Sequence, residues 1–300
     1  MKIIIASTSF HLINALILKH QLNEEFFLIY IGKENEVFNK VKTYFVDSLI
    51  LIEDKNNKYN LRIQNAKKLL ELVKNIKPSE IIIGNDRKIE NSILIANYKV
   101  NYSYLDDGLH SYILENQHMF KYTIFEKKLK EFLYKNRLVL PKYIGSSEYI
   151  KKAYVYKPEF VHKYLKEKVL IKLTPDTHFL RAIFKENIPE IKKLILFPHS
   201  KFIDDKKIEC IKKYIDENTF IKLHPRDNKT KLNAKKIDLI AEVLFLNLKE
   251  VQILGFNTTA LLTAKWLNSN LDVKMIKFDK NLSEIEKFMI KNGIKEINCI

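Results

Sequence analysis

Four short stretches of this chain combine residue types that could do chemistry: Asp106-Asp107-Gly108, Lys222-Leu223-His224-Pro225, Glu242, and Gly255-Phe256-Asn257-Thr258-Thr259. A carboxylate of the acidic pair, held in a partly dry cleft, can accept the proton of an attacking hydroxyl as a general base. A tight turn also favours Asp and Gly for backbone reasons alone. Pro225 fixes its own backbone and turns His224 away from helical geometry, which presents the imidazole at a strand end. There it can donate to a phosphate oxygen or protonate it as it leaves; a strand stopped by a proline beside an exposed histidine is the plain alternative. In the glycine-led stretch, free N–H groups and the positive end of a helix favour an anion, and the threonine hydroxyls add donors. Asn and Thr are also ordinary N-caps. Glu242 stands among apolar neighbours, so its carboxylate needs a partner: a ribose diol or a lysine.

Short β-branched runs alternating with longer periodic stretches place these residues on βαβ units of a mostly parallel sheet. Strands are expected at Ile3-Ile4-Ile5, Phe26 to Ile31, Leu49 to Ile52, Ile81-Ile82-Ile83 and Val100 to Tyr104, the last running into Asp106. Helices are expected over Leu12 to Leu18, Arg62 to Asn75 and Phe120 to Leu138. Gly145 to Pro189 is irregular, with turns at Pro158 and Pro175, and holds the interdomain connection. A second series follows: strands at Leu194 to Phe197, Phe220 to Leu223, Val243 to Leu246 and Val251 to Gly255, and helices over Lys206 to Glu217 and Thr259 to Leu267. The expectation is an α/β chain of GT-B type, two Rossmann-like domains facing each other across a cleft, divided as 1–180 and 181–300.

The chain has 300 residues, long enough for two domains that each bury a core, and a hydrophobic content of 46% with 29% charged residues excludes a disordered or membrane-spanning composition. Its net charge of +16 favours anionic partners. The lysines are spread along the chain beside acidic residues, as in Glu126-Lys127-Lys128, rather than gathered in one block with interleaved aromatics, which points away from nucleic acid. Two cysteines, Cys210 and Cys299, lie outside any metal-ligand spacing, which argues against a disulfide framework or structural zinc and for a reducing compartment. The apolar start is broken by Ser7-Thr8-Ser9 and His11, so it reads as strand, loop and helix rather than a signal peptide.

In their order along the chain, Asp-Asp-Gly, His-Pro, a lone Glu and a hydroxyl pair resemble the bacterial sialyltransferases, especially glycosyltransferase family 52 and its relatives. The resemblance implies an inverting transfer of sialic acid from CMP-sialic acid to a glycan acceptor of lipooligosaccharide or capsule type, with no metal and no cofactor. It implies that the first acidic residue, Asp106, is the general base, with Asp107 and Gly108 shaping the turn on the acceptor side. His224 would contact the CMP phosphate and assist its departure, Thr258 and Thr259 would bind the same phosphate, and Glu242 the ribose, with Lys222 and Pro225 beside them. Residues 1–180 would then bind the acceptor and 181–300 the donor. A monophosphate leaving group carries little enough charge for these donors to suffice without magnesium. The chain departs from the family in having Thr8-Ser9-Phe10-His11 where a Thr-Pro-Leu-Gln-like stretch is frequent, and threonines in place of serines. His11 and Asn85, at the ends of first-half strands, are the further acceptor contacts, although a capped helix and a turn account for them equally.

Two other readings compete: a transferase of another CMP-activated acidic sugar such as Kdo, and a non-catalytic nucleotide-binding protein. The enzyme is expected in the cytoplasm; the basic helical stretch Lys127 to Arg137 suits peripheral association at the inner membrane, and a solvated basic helix accounts for it equally.

Overall fold

The computed structural model describes residues 1–53, 58–114, 122–227, 230, 232–256, 258–278 and 281–299. Phe120, at the head of one expected helix, and Asn257 lie outside them. The chain forms two compact units, Met1–Thr174 and Pro175–Ile300.

In the first unit, β1 (Lys2–Ala6), α1 (Ser9–Leu22), β2 (Phe26–Ile31), α2 (Glu36–Val41), β3 (Asp47–Leu51), α3 (Lys58–Ile76), β4 (Glu80–Ile83), α4 (Ile89–Asn97), β5 (Asn101–Leu105), α5 (Ile124–Tyr134), β6 (Ile150–Val155), α6 (Lys163–Lys166) and β7 (Val169–Lys172) succeed one another. All neighbouring strands pair in parallel, in the order β3-β2-β1-β4-β5-β6-β7. Ile3, Ile4, Ile5, Ile81, Ile82 and Ile83 are fully buried, as strands covered on both faces require. The order reverses between β1 and β4, and open α/β sheets bind ligands at the carboxyl ends of strands at such a switch point.

The second unit runs α7 (Thr177–Ile183), β8 (Lys193–Leu196), α8 (Asp205–Lys212), β9 (Thr219–Lys222), β10 (Lys235–Lys236), α9 (Ala241–Asn247), β11 (Gln252–Gly255), α10 (Thr259–Leu267), β12 (Asp272–Lys277), α11 (Glu284–Lys291) and β13 (Lys295–Asn298). Its parallel sheet, β10-β9-β8-β11-β12-β13, switches between β8 and β11. Both units are therefore doubly wound, and the α/β expectation stands.

Several expectations are corrected. Val243 to Leu246 is helical, inside α9, because an apolar run of four to five residues has the same appearance in a buried strand and a buried helix. The stretch 145–189, irregular in its sequence pattern, holds β6, β7, α6 and α7; β6 opens Ile-Lys-Lys and β7 has only four residues, which weakens their alternation. The division falls at Thr174/Pro175 rather than 180/181, since α7 belongs with the second unit, where Arg181 Nε donates to Leu246 O at 2.8 Å. Cys210 and Cys299, 89 residues apart, are paired as a disulfide with Cα atoms 5.9 Å apart, against the expectation of reduced thiols. Among the described residues, no helix is long and apolar enough to cross a membrane.

Candidate functional site

α1 is buried from Phe10 through Leu18, and two polar residues, His11 and Asn14, are carried inside with it. A buried polar group needs a partner, and both find theirs at the end of β5. Asn14 Nδ2 donates to Asp106 O at 3.0 Å, and its Oδ1 accepts from the Tyr156 hydroxyl at 2.6 Å. The His11 ring is tied at both nitrogens. The Ser7 N–H donates to Nδ1 at 3.3 Å, with Ser7 Oγ 3.2 Å from the same atom, so in the neutral ring the proton resides on Nε2. Nε2 then donates to Asp107 Oδ1 at 2.8 Å, and Asn85 Nδ2 donates to Asp107 Oδ2 at 3.0 Å. The Asp107 side chain retains 14% exposure. Each of its oxygens keeps acceptor capacity toward solvent beyond its one side-chain partner. Ser7, His11, Asn85 and Asp107 thus meet at the switch point, at the carboxyl ends of β1, β4 and β5.

Asp106 is placed differently. It is fully buried, and its oxygens accept from Gly108 N (2.8 Å), Ser111 Oγ (2.9 Å), Tyr156 N (3.0 Å) and the Tyr112 hydroxyl. Burial pushes it up to about 6 against the pull of those four donors. A carboxylate with its lone pairs so committed has no site left for an acceptor proton. The base role expected of Asp106 therefore does not fit its surroundings, whereas Asp107 has the exposure and the orientation for it. Gly108 adopts φ +67°, a left-handed conformation that favours glycine, and its N–H belongs to Asp106, so it shapes the turn.

Two neighbouring features hold this cluster. Gly84 lies against the His11 ring: a Cβ there would sit 2.5 to 2.6 Å from three ring atoms. Gly84→Ala should displace the ring from Asp107 and destabilise the fold by about 1–3 kcal/mol, a loss that chemical denaturation would read. Asp86, next to Asn85, is fully buried and accepts from Gly145 N (2.8 Å) and Ser147 N (3.1 Å), which anchors the 145–147 loop. Burial pushes Asp86 from 3.8 up to about 6. Below the unfolded value both states hold the proton; between there and about 6 only the folded state does, so this group's contribution to stability is lost as the pH rises. From pH 4 to 6.5 the stability difference should therefore move in favour of Asp86→Asn by up to about 3 kcal/mol, as urea titrations of both proteins would show.

In the second unit, adjacent strands β9, β8 and β11 bring their carboxyl ends to one edge of the sheet. His224 follows β9. Its Nδ1 accepts from Arg226 N at 3.2 Å, so the neutral ring carries its proton on Nε2 as a donor. The His199 ring, after β8, lies 5.2 Å from it. Asp227 closes the cluster: it accepts from Ser200 N (2.7 Å) and Ser200 Oγ (2.9 Å) and lies 3.9 Å from His199 Nδ1. Burial raises its pKa, but the Ser200 donors and the two histidines outweigh that and hold it below the usual carboxylate range. Pro225 stands exposed in the turn beyond.

Gly255 ends β11 where its Cα approaches β8, a Cβ there lying 3.2 Å from Leu196 O. Thr258 caps α10, its Oγ1 accepting from Ala260 N at 3.3 Å, and Thr259 opens the helix. Burial raises Glu242 at the start of α9, opposed by its own N–H and by Lys222; burial lowers Lys222, opposed by Asp238 and Glu242. Beside His224 and Asp227 opens a cavity of about 400 Å³, walled by Phe197, Pro198, Ile203, Ile208 and Leu223, with Ser200, Asp205, Asp227 and Thr230 at its polar positions.

No family model matches the sequence, and no curated protein matches it either. Solved structures do resemble it. UDP-GlcNAc 2-epimerase from Methanocaldococcus jannaschii superposes with a TM-score of 0.60 at 13% identity, over 100% of this chain and 89% of that one. A further UDP-N-acetylglucosamine 2-epimerase gives 0.55 at 11% over 99% and 83%. A Listeria monocytogenes protein assigned to the same activity gives 0.61 at 11% over 99% and 84%. The fold is of the GT-B type.

In this GT-B chain, the expected residues fall into two groups. His11, Asn85 and Asp107 come together in the first unit, with Gly108 shaping the turn beside them. His224, Pro225, Thr258 and Thr259 share a sheet edge in the second, where the charges of Lys222 and Glu242 each oppose the effect of burial on the other. Ser7, His199, Ser200 and Asp227 belong to the same clusters and were not singled out from the sequence. A signal did exist for His199: Pro198-His199 follows a strand much as His224-Pro225 does. Ser7 lies four residues before His11 at the start of α1, a local spacing that many serines ahead of a helix share.

Proposed function

We propose that this protein is a glycosyltransferase of the sialyltransferase type, moving a sialic acid from CMP-sialic acid to a glycan acceptor. The observation that carries the reading is Asp107, a partly exposed carboxylate oriented by two side-chain donors at a switch point: binding a nucleotide needs no such base. In this mechanism the acceptor hydroxyl gives its proton to Asp107 and its oxygen attacks the anomeric carbon. The bond from that carbon to the CMP phosphate breaks on the opposite face, which inverts the centre. His224 donates from Nε2 to the departing phosphate, with Thr258, Thr259 and His199 as further donors. The apolar cavity beside Phe197 and Leu223 suits a nucleobase, and Glu242 the ribose hydroxyls.

Release of CMP from CMP-sialic acid, followed in EDTA over a panel of galactose- and sialic-acid-terminated acceptors, tests the proposal. Acceptor-dependent turnover is the expected result; no turnover together with no calorimetric binding of CMP would overturn it. Turnover of CMP-Kdo alone would replace the sugar and keep the CMP-dependent transfer. The neighbours of similar fold favour a second reading, a nucleotide-sugar 2-epimerase, because three of them carry that activity in their names. Incubation with UDP-GlcNAc decides it: a 2-epimer product without any acceptor would establish the epimerase.

A further inference from the structure

α5 is an independently capped helix. Thr123 Oγ1 accepts from Glu126 N while the Glu126 carboxylate accepts from Thr123 N, a reciprocal cap that defines its start. One side is anchored in the protein: Tyr134 is buried in a cluster with Ala66, Ile93 and Leu138, and Glu131 Oε1 accepts from Leu138 N at 2.9 Å. The opposite side is apolar and uncovered. Ile124, Phe125 and Phe132 are exposed by 79%, 74% and 79%, and Leu129 and Leu133 by 47% and 45%. With 3.6 residues per turn these five fall within about half of the helix circumference. A contiguous exposed apolar face of this kind marks an interaction surface rather than scattered surface hydrophobics.

We propose that this face docks on a lipid bilayer rich in anionic headgroups. One cation, Lys128, lies inside the apolar arc, and Lys135 and Arg137 follow the helix; the carboxylates next to the two edges are already engaged, Glu126 by the Thr123 cap and Glu131 by Leu138 N. A long lysine side chain buries its stem among apolar groups and raises its ammonium to the headgroup level. A second copy of this chain suits the face less well. A two-fold contact sets the same patch against itself and brings Lys128 and its neighbours together, in a molecule of net charge +16. An anionic bilayer supplies the opposite charge as well as the apolar medium. The proposal is independent of the sugar donor.

Sedimentation of the full chain with vesicles of mixed phosphatidylglycerol and phosphatidylcholine, and with phosphatidylcholine alone, tests it. The wild type should partition onto the anionic vesicles and be released by salt. The double substitution Phe125→Ser and Phe132→Ser should lower the bound fraction about tenfold or more at unchanged melting temperature. Lys128→Glu, which leaves the apolar residues intact, should weaken binding to anionic vesicles alone. Absence of binding by the wild type would overturn the proposal, as would equal binding by the double variant. A dimer in solution that the double variant converts to monomer would assign the face to self-association instead.

Discussion

Asp107→Asn is expected to lower turnover by about 100-fold to 10,000-fold, the range that loss of a positioned general base produces. The carboxamide has nearly the same shape, but it cannot take the acceptor proton. It also faces two donors, His11 Nε2 and Asn85 Nδ2, that both require acceptors. His11 cannot respond by changing tautomer, because Nδ1 receives the Ser7 N–H. One donor is therefore left facing the new NH₂ group, which costs about 1–2 kcal/mol. For a unit of 174 residues this lowers the melting temperature by a few degrees. The expected signature is a large kinetic loss with a small thermal shift and retained binding of CMP. Near-normal turnover in this variant would remove Asp107 from the reaction.

Asp106→Ala should show the reverse ordering of effects, with stability as the primary loss. Removing this carboxylate strands Gly108 N in a fully buried place and takes the acceptor from the Tyr112 hydroxyl, while Ser111 Oγ keeps the Tyr104 hydroxyl and Asp107 N as partners. Tyr156 N retains a partner in that same hydroxyl, at 3.1 Å. The net cost is about 4 kcal/mol, or roughly a ten-degree fall in melting temperature. Turnover should fall only to the extent that the protein unfolds or Asp107, next in the chain, is displaced. Asp106→Asn should recover part of the stability, since its carboxamide oxygen accepts from some of these donors. If Asp106→Asn instead melted normally and lost turnover while Asp107→Asn remained active, the base would be Asp106.

The two aspartates show how much of the site could be read in advance. A strand ending in Asp-Asp-Gly locates a candidate loop, because open α/β sheets present their binding loops at the carboxyl ends of strands. Nothing local distinguishes Asp106 from Asp107. That choice depends on Tyr112, Ser111 and Tyr156 closing around the first and on His11, in the first turn of α1, reaching the second. The same holds for His224, legible from its proline, and for His199 and Asp227, which join it only because parallel strands β8 and β9 lie side by side.

For the chain as a whole, the sequence by itself determined the α/β class, the strands of the first sheet from β1 to β5, α1 and α10, since continuous apolar runs and 3.6-residue periodicity are local properties. Tertiary structure decided what depends on neighbours distant in the chain: that Val243 to Leu246 is helix, that Cys210 meets Cys299, that α5 keeps its apolar side uncovered, and which of two adjacent carboxylates is buried and saturated and which remains partly exposed.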